Sequence, residues 1–139
     1  MNIIQSTILI GSLITSGYFL PINTIKSENI NTIKTFNLDN EITNLSAQYK
    51  VNEQLVRKII QCESEMYPSA INNNIDKNGK VWSSDYGPLQ INNYYHEQVM
   101  NKLGLDIHNE YDSLKYGIML LAAKGTQPWT ASKMCWSKT

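Results

Sequence analysis

Two acidic residues, Glu63 and Asp85, stand on either side of an asparagine-rich segment that contains Asn78-Gly79. Asn-Gly favours a tight turn between two strands, so the two carboxyl groups can face one another across a hairpin. Asp85 follows two serines, Ser83 and Ser84, in a polar setting. Two carboxyl groups that flank a cleft, in opposite environments, are the minimum equipment for acid-base cleavage of a glycosidic bond.

The helix that carries Glu63 decides the state of its carboxyl group. Asn52 is a suitable N-cap for a helix over residues 53–64, and apolar side chains at 55, 56, 59 and 60 form one stripe. At roughly 100° per residue, Glu63 falls near the middle of that stripe. Ionisation against apolar side chains loses hydration, so the pKa of Glu63 should rise, as a general acid near neutral pH requires. The alternative is a frayed helix end with Glu63 in water.

The remaining pattern predicts a mostly helical α+β domain with one small β-hairpin. Apolar spacing favours helices at residues 41–49, 94–103 and 112–123, with Asp112 as the N-cap of the last. Residues 71–85 are rich in strand and turn formers, and 129–136 form a final short helix or turn.

Composition and the N-terminal residues indicate one exported domain. The chain has 139 residues, and its 12 basic and 12 acidic side chains cancel, so nothing favours nucleic acid as a partner. Residues 1–25 carry no charge and contain a short apolar core followed by small residues, which is typical of a signal peptide or an N-terminal membrane anchor. We expect a linker at 26–41 and a single domain at 42–139.

The chain has two cysteines, Cys62 and Cys135. An even number in an exported protein favours a disulfide, and two buried free thiols are the alternative. A bridge would tie the C-terminal segment to the helix that carries Glu63.

Several runs of residues resemble two related families. The pattern E-S-x-x-x-x-x-A-x-N-x-N from Glu63 to Asn74, followed by D-Y-G-x-L-Q-I-N from Asp85 to Asn92, resembles the core of animal c-type lysozymes. The run Y-x-V-x-x-x-L-V at 49–56, which leads into the E-S pair, and G-P-L-Q at 87–90 resemble soluble lytic transglycosylases of bacteria and phages. Both families share the lysozyme-like fold, which the resemblance therefore implies here.

The resemblance also implies roles for individual residues. Glu63 matches the catalytic acid, and Asp85 matches the second carboxylate of c-type lysozymes. Cys62 and Cys135 resemble a lysozyme disulfide pair in placement. No metal or cofactor is implied. The residues expected to bind substrate or support the acid are Ser64, Asn72, Asn74, Tyr86, Gln90, Asn92 and Trp129.

The implied function is a peptidoglycan-cleaving muramidase, an exported monomer that binds glycan strands and acts on the β-1,4 bond between N-acetylmuramic acid and N-acetylglucosamine. We favour a lytic transglycosylase that gives a 1,6-anhydro product, with Glu63 as general acid and base. The alternatives are a retaining hydrolase that uses Glu63 and Asp85, or a non-catalytic glycan-binding module. The sequence departs from the transglycosylase pattern G-x-x-Y, because Leu120 follows Gly117 at that spacing.

The roles of three aromatic residues and one histidine stay open. Trp82, Tyr94 and Tyr95 either stack on sugar rings or pack in the core or at its rim. His96-Glu97 begins like a zinc-protease motif, but the second histidine is missing. We expect His96 on a helix surface.

Overall fold

The computed structural model describes residues 35–138, which form an α+β domain of helices and one small sheet. The predicted α+β class is confirmed, including its largely helical character. The elements are α1 (Leu38–Tyr49), α2 (Glu53–Ser64), β1 (Ile71–Ile75), β2 (Val81–Tyr86), β3 (Ile91–Asn92), α3 (Asn93–Lys102), α4 (Glu110–Lys124), a 3-10 helix (Gln127–Trp129) and α5 (Lys133–Trp136).

Asparagine side chains set the starts of three helices. Asn52 caps α2 as predicted, because its side chain accepts the Leu55 N–H at 3.0 Å. Asn37 caps α1, so residues 38–41, expected at the end of a linker, are the first turn of that helix. The N-cap of α4 is Asn109, and the prediction of Asp112 is wrong because the Asp112 N–H itself donates to Asn109 at 3.1 Å.

The sheet is antiparallel, in the order β1-β2-β3. The predicted hairpin joins β1 to β2 through a turn at 76–80, where the Asp76 carboxylate accepts the N–H groups of Asn78 and Lys80. Gly79 takes a left-handed φ of +79° in this turn, which explains why glycine stands there. Strand β3 was not predicted, because two residues are too short to show any periodicity.

One apolar core lies among the helices. Helices α1, α2 and α4 contribute most of its fully buried side chains, α3 adds Met100, and the β2–β3 connection adds Leu89. The helical contributions include Ile42, Leu45, Val56, Ile59, Ile60, Leu114 and Ile118. Glu63 therefore projects from a helix whose apolar face is anchored in the core.

No helix within residues 35–138 is long and apolar enough to cross a membrane. The signal peptide or anchor expected at 1–25 lies outside the described residues, as does most of the expected linker.

Candidate active site

A cleft of about 430 Å³ separates the sheet and α3 from the C-terminal segment, and both Glu63 and Asp85 line it. The other lining residues are Asn72, Gln90, Ile91, Asn92, Tyr95, His96, Leu120, Pro128, Trp129 and Ala131. A larger cavity of about 620 Å³, near Phe36 and Tyr111, contains neither carboxyl group, so its size does not make it the chemical site. Within residues 35–138 no group of three or more His, Cys, Asp or Glu side chains is arranged to hold a metal ion.

The Glu63 carboxyl group is half-buried near the end of α2, so the alternative of a frayed helix end is excluded. Burial raises its pKa above the ordinary value, and the negative charge of Asp85 adds to the rise. The Ser132 hydroxyl donates to Oε1 at 2.5 Å and opposes the rise, because it stabilises the ionised form. The helical pattern thus predicted the direction of the shift correctly.

A disulfide joins the segments that carry Ser132 and Glu63. Cys62 is bonded to Cys135 at an S–S distance of 2.00 Å, which confirms the predicted pairing and links α2 to α5. Cys62 directly precedes Glu63, and Ser132 lies three positions before Cys135. Ser132 was not predicted, although its position three residues before Cys135 was an available signal.

Asn74 and Asn92 hold the Asp85 carboxyl group within the sheet by hydrogen bonds. Strand register places Asn72 and Asn92 directly across from Asp85, on either side of it. The Asn92 amide donates to Oδ1 at 2.7 Å, and the Asn74 amide donates to Oδ2 at 2.9 Å. Both amides also donate to the Ser83 hydroxyl, at 3.0 and 3.1 Å. The orientation of the Asp85 carboxyl group is therefore fixed by the sheet.

A tight turn brings Gln90 to the cleft wall. Gln90 has a left-handed φ of +51°, a conformation that side chains other than glycine adopt at a cost. Its side chain donates to the Gly87 carbonyl at 2.8 Å and accepts from Asn72 at 2.7 Å. These bonds offset the backbone strain and join two of the predicted substrate-binding residues into one wall.

Trp129 supplies an apolar part of the cleft and is only 4 % exposed. Its indole N–H donates to the Leu89 carbonyl at 2.9 Å, and its own carbonyl accepts the indole N–H of Trp136 at 3.0 Å. The ring is thus held by both the β2–β3 connection and α5.

Three of the predicted binding residues do not line the cleft. Ser64 is buried, and its hydroxyl donates to the Ile60 carbonyl at 3.1 Å within α2. Tyr86 follows Asp85 in β2, and neighbouring strand residues point to opposite faces, so its ring packs instead on His108, with centroids 4.7 Å apart. Asn74 reaches the site only through Asp85.

The prediction that His96 lies on a helix surface is wrong. It is half-buried, it lines the cleft, and its Nδ1 lies 3.0 Å from the Tyr116 hydroxyl. Burial lowers the pKa of His96, and the charge of Lys124 lowers it further. Burial also raises the pKa of Tyr116. This pair joins a residue of α3 to a residue of α4, so the sequence of either helix alone does not encode the contact.

Comparison with known proteins adds one match that includes both carboxyl groups. Residues 40–128 match the family model described as the transglycosylase SLT domain, which is well over half of the chain. The chain belongs to this family. SLT domains are glycosidases of the lytic transglycosylase type that act on peptidoglycan, which implies a location outside the cytoplasm. Ser132 and Cys135 lie beyond the residues matched to the SLT domain. The comparison with curated proteins gives no match.

Proposed function

We propose that the chain cleaves the β-1,4 bond between N-acetylmuramic acid and N-acetylglucosamine in peptidoglycan strands, with Glu63 as general acid and base. The observation that carries this proposal is the half-buried Glu63 carboxyl group, with its raised pKa, in the wall of the cleft of an SLT domain. A raised pKa keeps the acid protonated until the leaving oxygen takes the proton.

The favoured reaction is transglycosylation. Protonated Glu63 gives its proton to the glycosidic oxygen, and the bond from that oxygen to C1 of N-acetylmuramic acid breaks. The Glu63 carboxylate then takes the proton of the C6 hydroxyl group of the same sugar while the C6 oxygen bonds to C1. The product is a 1,6-anhydro sugar, and no water is consumed.

The second candidate is retaining hydrolysis, and the position of Asp85 favours it. Asp85 lines the same cleft, and its negative charge raises the pKa of Glu63. A second carboxylate held by Asn74 and Asn92 can stabilise positive charge at C1 or attack it, after which water completes the cleavage.

The test of the acid is the variant Glu63→Gln, with Glu65→Gln as a matched control on an exposed carboxyl group two positions away. We expect Glu63→Gln to abolish the turbidity loss of purified cell walls and Glu65→Gln to leave it unchanged, while the circular dichroism of both matches the parent. Unchanged lysis by Glu63→Gln would refute the assignment. Binding of glycan by the parent protein without any cleavage would favour a non-catalytic module.

Mass spectrometry of the released muropeptides separates the two reactions. Anhydro ends indicate transglycosylation, and reducing ends indicate hydrolysis.

We further propose that residues 1–25 act as a signal peptide or N-terminal anchor, that a linker follows, and that the domain works as a monomer on the cell wall. Sedimentation of the purified domain tests the last point.

A further inference from the structure

Helix α4 carries a row of side chains along one end of the cleft. Tyr116, Leu120 and Lys124 follow one another at a spacing of four positions, so they lie on the same face of the helix. Tyr116 contacts His96, which lines the cleft, and Leu120 lines the cleft itself. Lys124 follows one turn later, and its positive charge acts on His96. The last turn of α4 therefore places an ammonium group close to the His96 end of the cleft.

Lys124 has no acidic partner in the part of the chain that the structure describes. Its side chain is exposed, and no carboxylate among residues 35–138 forms an ion pair with it. An anionic group that enters this end of the cleft would therefore gain an ammonium partner without breaking an existing ion pair.

His96 supplies a second polar group at the same end of the cleft. The Tyr116 hydroxyl lies 3.0 Å from Nδ1, and the two rings meet edge-on with centroids 5.5 Å apart. Burial raises the pKa of Tyr116 and lowers the pKa of His96, so at neutral pH the hydroxyl keeps its hydrogen and the imidazole is uncharged. When Tyr116 donates to Nδ1, the imidazole hydrogen lies on Nε2, which can donate it to a ligand.

An ammonium group and an N–H donor together favour a carboxylate as the ligand. Elsewhere in the cleft, Glu63 and Asp85 would repel a negative charge when ionised. In a strand of alternating N-acetylglucosamine and N-acetylmuramic acid, only N-acetylmuramic acid has a carboxyl group, on its lactyl substituent. That group is either free or linked to a peptide that ends in a carboxylate of its own.

We propose that Lys124 and the His96–Tyr116 pair form a carboxylate subsite, which recognises the acidic substituent of N-acetylmuramic acid at the α4 end of the cleft. The subsite selects peptidoglycan over chitin, because the N-acetylglucosamine units of chitin carry no carboxylate. This inference rests on the proposed function, since it takes the same strand as ligand.

Calorimetry tests the subsite in the Glu63→Gln background, so that nothing is cleaved. The three ligands are a tetramer of N-acetylglucosamine, a peptide-free tetramer of alternating N-acetylglucosamine and N-acetylmuramic acid, and the same alternating tetramer with stem peptides. Lys124→Gln should weaken binding of an acidic tetramer about two- to fivefold and leave the N-acetylglucosamine tetramer unchanged. Lys124→Glu should weaken it further, because like charges repel.

The matched control is Lys102→Gln. Lys102 is an exposed lysine in the last turn of α3, as Lys124 is in α4, but its charge does not contribute to the pKa of Glu63 or His96. It should change none of the three dissociation constants. The effect of Lys124→Gln should also shrink at high salt, because added ions screen an exposed charge pair.

Tyr116→Phe tests the second donor without changing a charge. It removes the hydroxyl that orients His96 and keeps the ring, so the acidic tetramers should bind about two- to fivefold more weakly. Tyr111→Phe is its control, because Tyr111 lies on the same helix and does not line the cleft. Unchanged binding by Tyr116→Phe would remove the His96–Tyr116 pair from the subsite.

The pattern across the three ligands decides the proposal. A loss with the peptide-free tetramer identifies the lactyl carboxylate as the ligand, and a loss with the peptide-bearing tetramer alone identifies the peptide. Equal weakening of all three ligands by Lys124→Gln, or no weakening of any, would overturn the proposal. Binding that depends on Lys124 without wall cleavage by the parent protein refutes the proposed function alone, whereas wall cleavage without any effect of Lys124→Gln on binding refutes this inference alone.

Discussion

At the scale of single residues, the proposed chemistry depends on one proton at Glu63 and on three influences on the pKa of its carboxyl group. Burial disfavours the ionised form, Ser132 favours it through a hydrogen bond, and the charge of Asp85 disfavours it again. The balance raises the pKa of Glu63, so the acid form persists to a higher pH than in water. Because the proposed reaction begins from protonated Glu63, activity should fall as the pH rises through this raised pKa.

Removal of the Ser132 hydroxyl should extend activity to higher pH. Ser132→Ala takes away the donor that stabilises the Glu63 carboxylate, so the pKa of Glu63 rises further. We expect the alkaline limb of the pH–rate profile for kcat/KM to move upward. Thr130→Ala changes a nearby hydroxyl that donates to the Gln127 carbonyl, and it should leave the limb in place. A limb that stays fixed in Ser132→Ala would contradict the role of this bond.

Neutralisation of Asp85 should shift the alkaline limb of the pH–rate profile to lower pH. Asp85→Asn removes a negative charge that hinders ionisation of Glu63, so the pKa of Glu63 falls and activity is lost at a lower pH. The shift should be smaller than that of Ser132→Ala, since the charge is the weaker influence. Retained kcat with only this shift favours transglycosylation, and near-complete loss of kcat favours the hydrolase.

At the scale of elements, the turn that carries Gln90 to the cleft packs against α4. The Ser113 hydroxyl donates to the Tyr86 carbonyl at 2.9 Å, and Leu89 packs against the helix where Gly117 leaves room. Gly87 begins the turn with a φ of +72°. One wall of the cleft therefore depends on a close contact between a loop and a helix.

A methyl group at Gly87 should disrupt the packing of this turn on α4 and destabilise the protein. An added Cβ would lie 2.4 Å from Ser113 Oγ, whereas at Gly79, which also has a positive φ, nothing lies within 4 Å. Both alanine variants bear the conformational strain, but only Gly87→Ala adds a clash, so we expect it to lose about 2 kcal/mol more stability than Gly79→Ala. Urea unfolding measures the difference, and equal losses would show that the contact is not tight.

At the scale of the whole molecule, the Cys62–Cys135 disulfide closes most of the domain into one loop. The bridge spans 73 positions and joins the helix of the acid to the last helix. Because Ser132 lies on the joined segment, the same bond that stabilises the domain also holds the hydrogen-bond donor against Glu63.

Loss of the disulfide should therefore affect both stability and pH dependence. The double variant Cys62→Ser/Cys135→Ser should lose about 3–4 kcal/mol in free energy of unfolding, because the unfolded chain gains freedom. The alkaline limb should move upward as in Ser132→Ala, measured well below the melting temperature. The reduced parent protein is the control and should behave alike. Lower stability with an unchanged limb would mean that packing alone holds Ser132 in place.

Local patterns in the sequence determined the helices, the hairpin and the setting of Glu63. The position of Glu63 within the apolar stripe follows from helical periodicity, which acts over a few residues and is visible in the sequence. The Asn78-Gly79 turn is equally local. The hairpin spacing also pointed to Asp85 and the even cysteine count to a disulfide, and the family resemblance then added the role of Asp85 and supported the pairing of Cys62 with Cys135.

Only the tertiary structure decided which side chains meet in the cleft. Ser132 and Glu63 are 69 positions apart, and His96 and Tyr116 are 20 apart, so their contacts depend on how helices pack. Tyr86 lies beside Asp85 in the sequence, yet the alternation of β2 turns it to the other face. Sequence spacing fixes the direction of a side chain relative to its own helix or strand, and packing between elements fixes what that side chain touches.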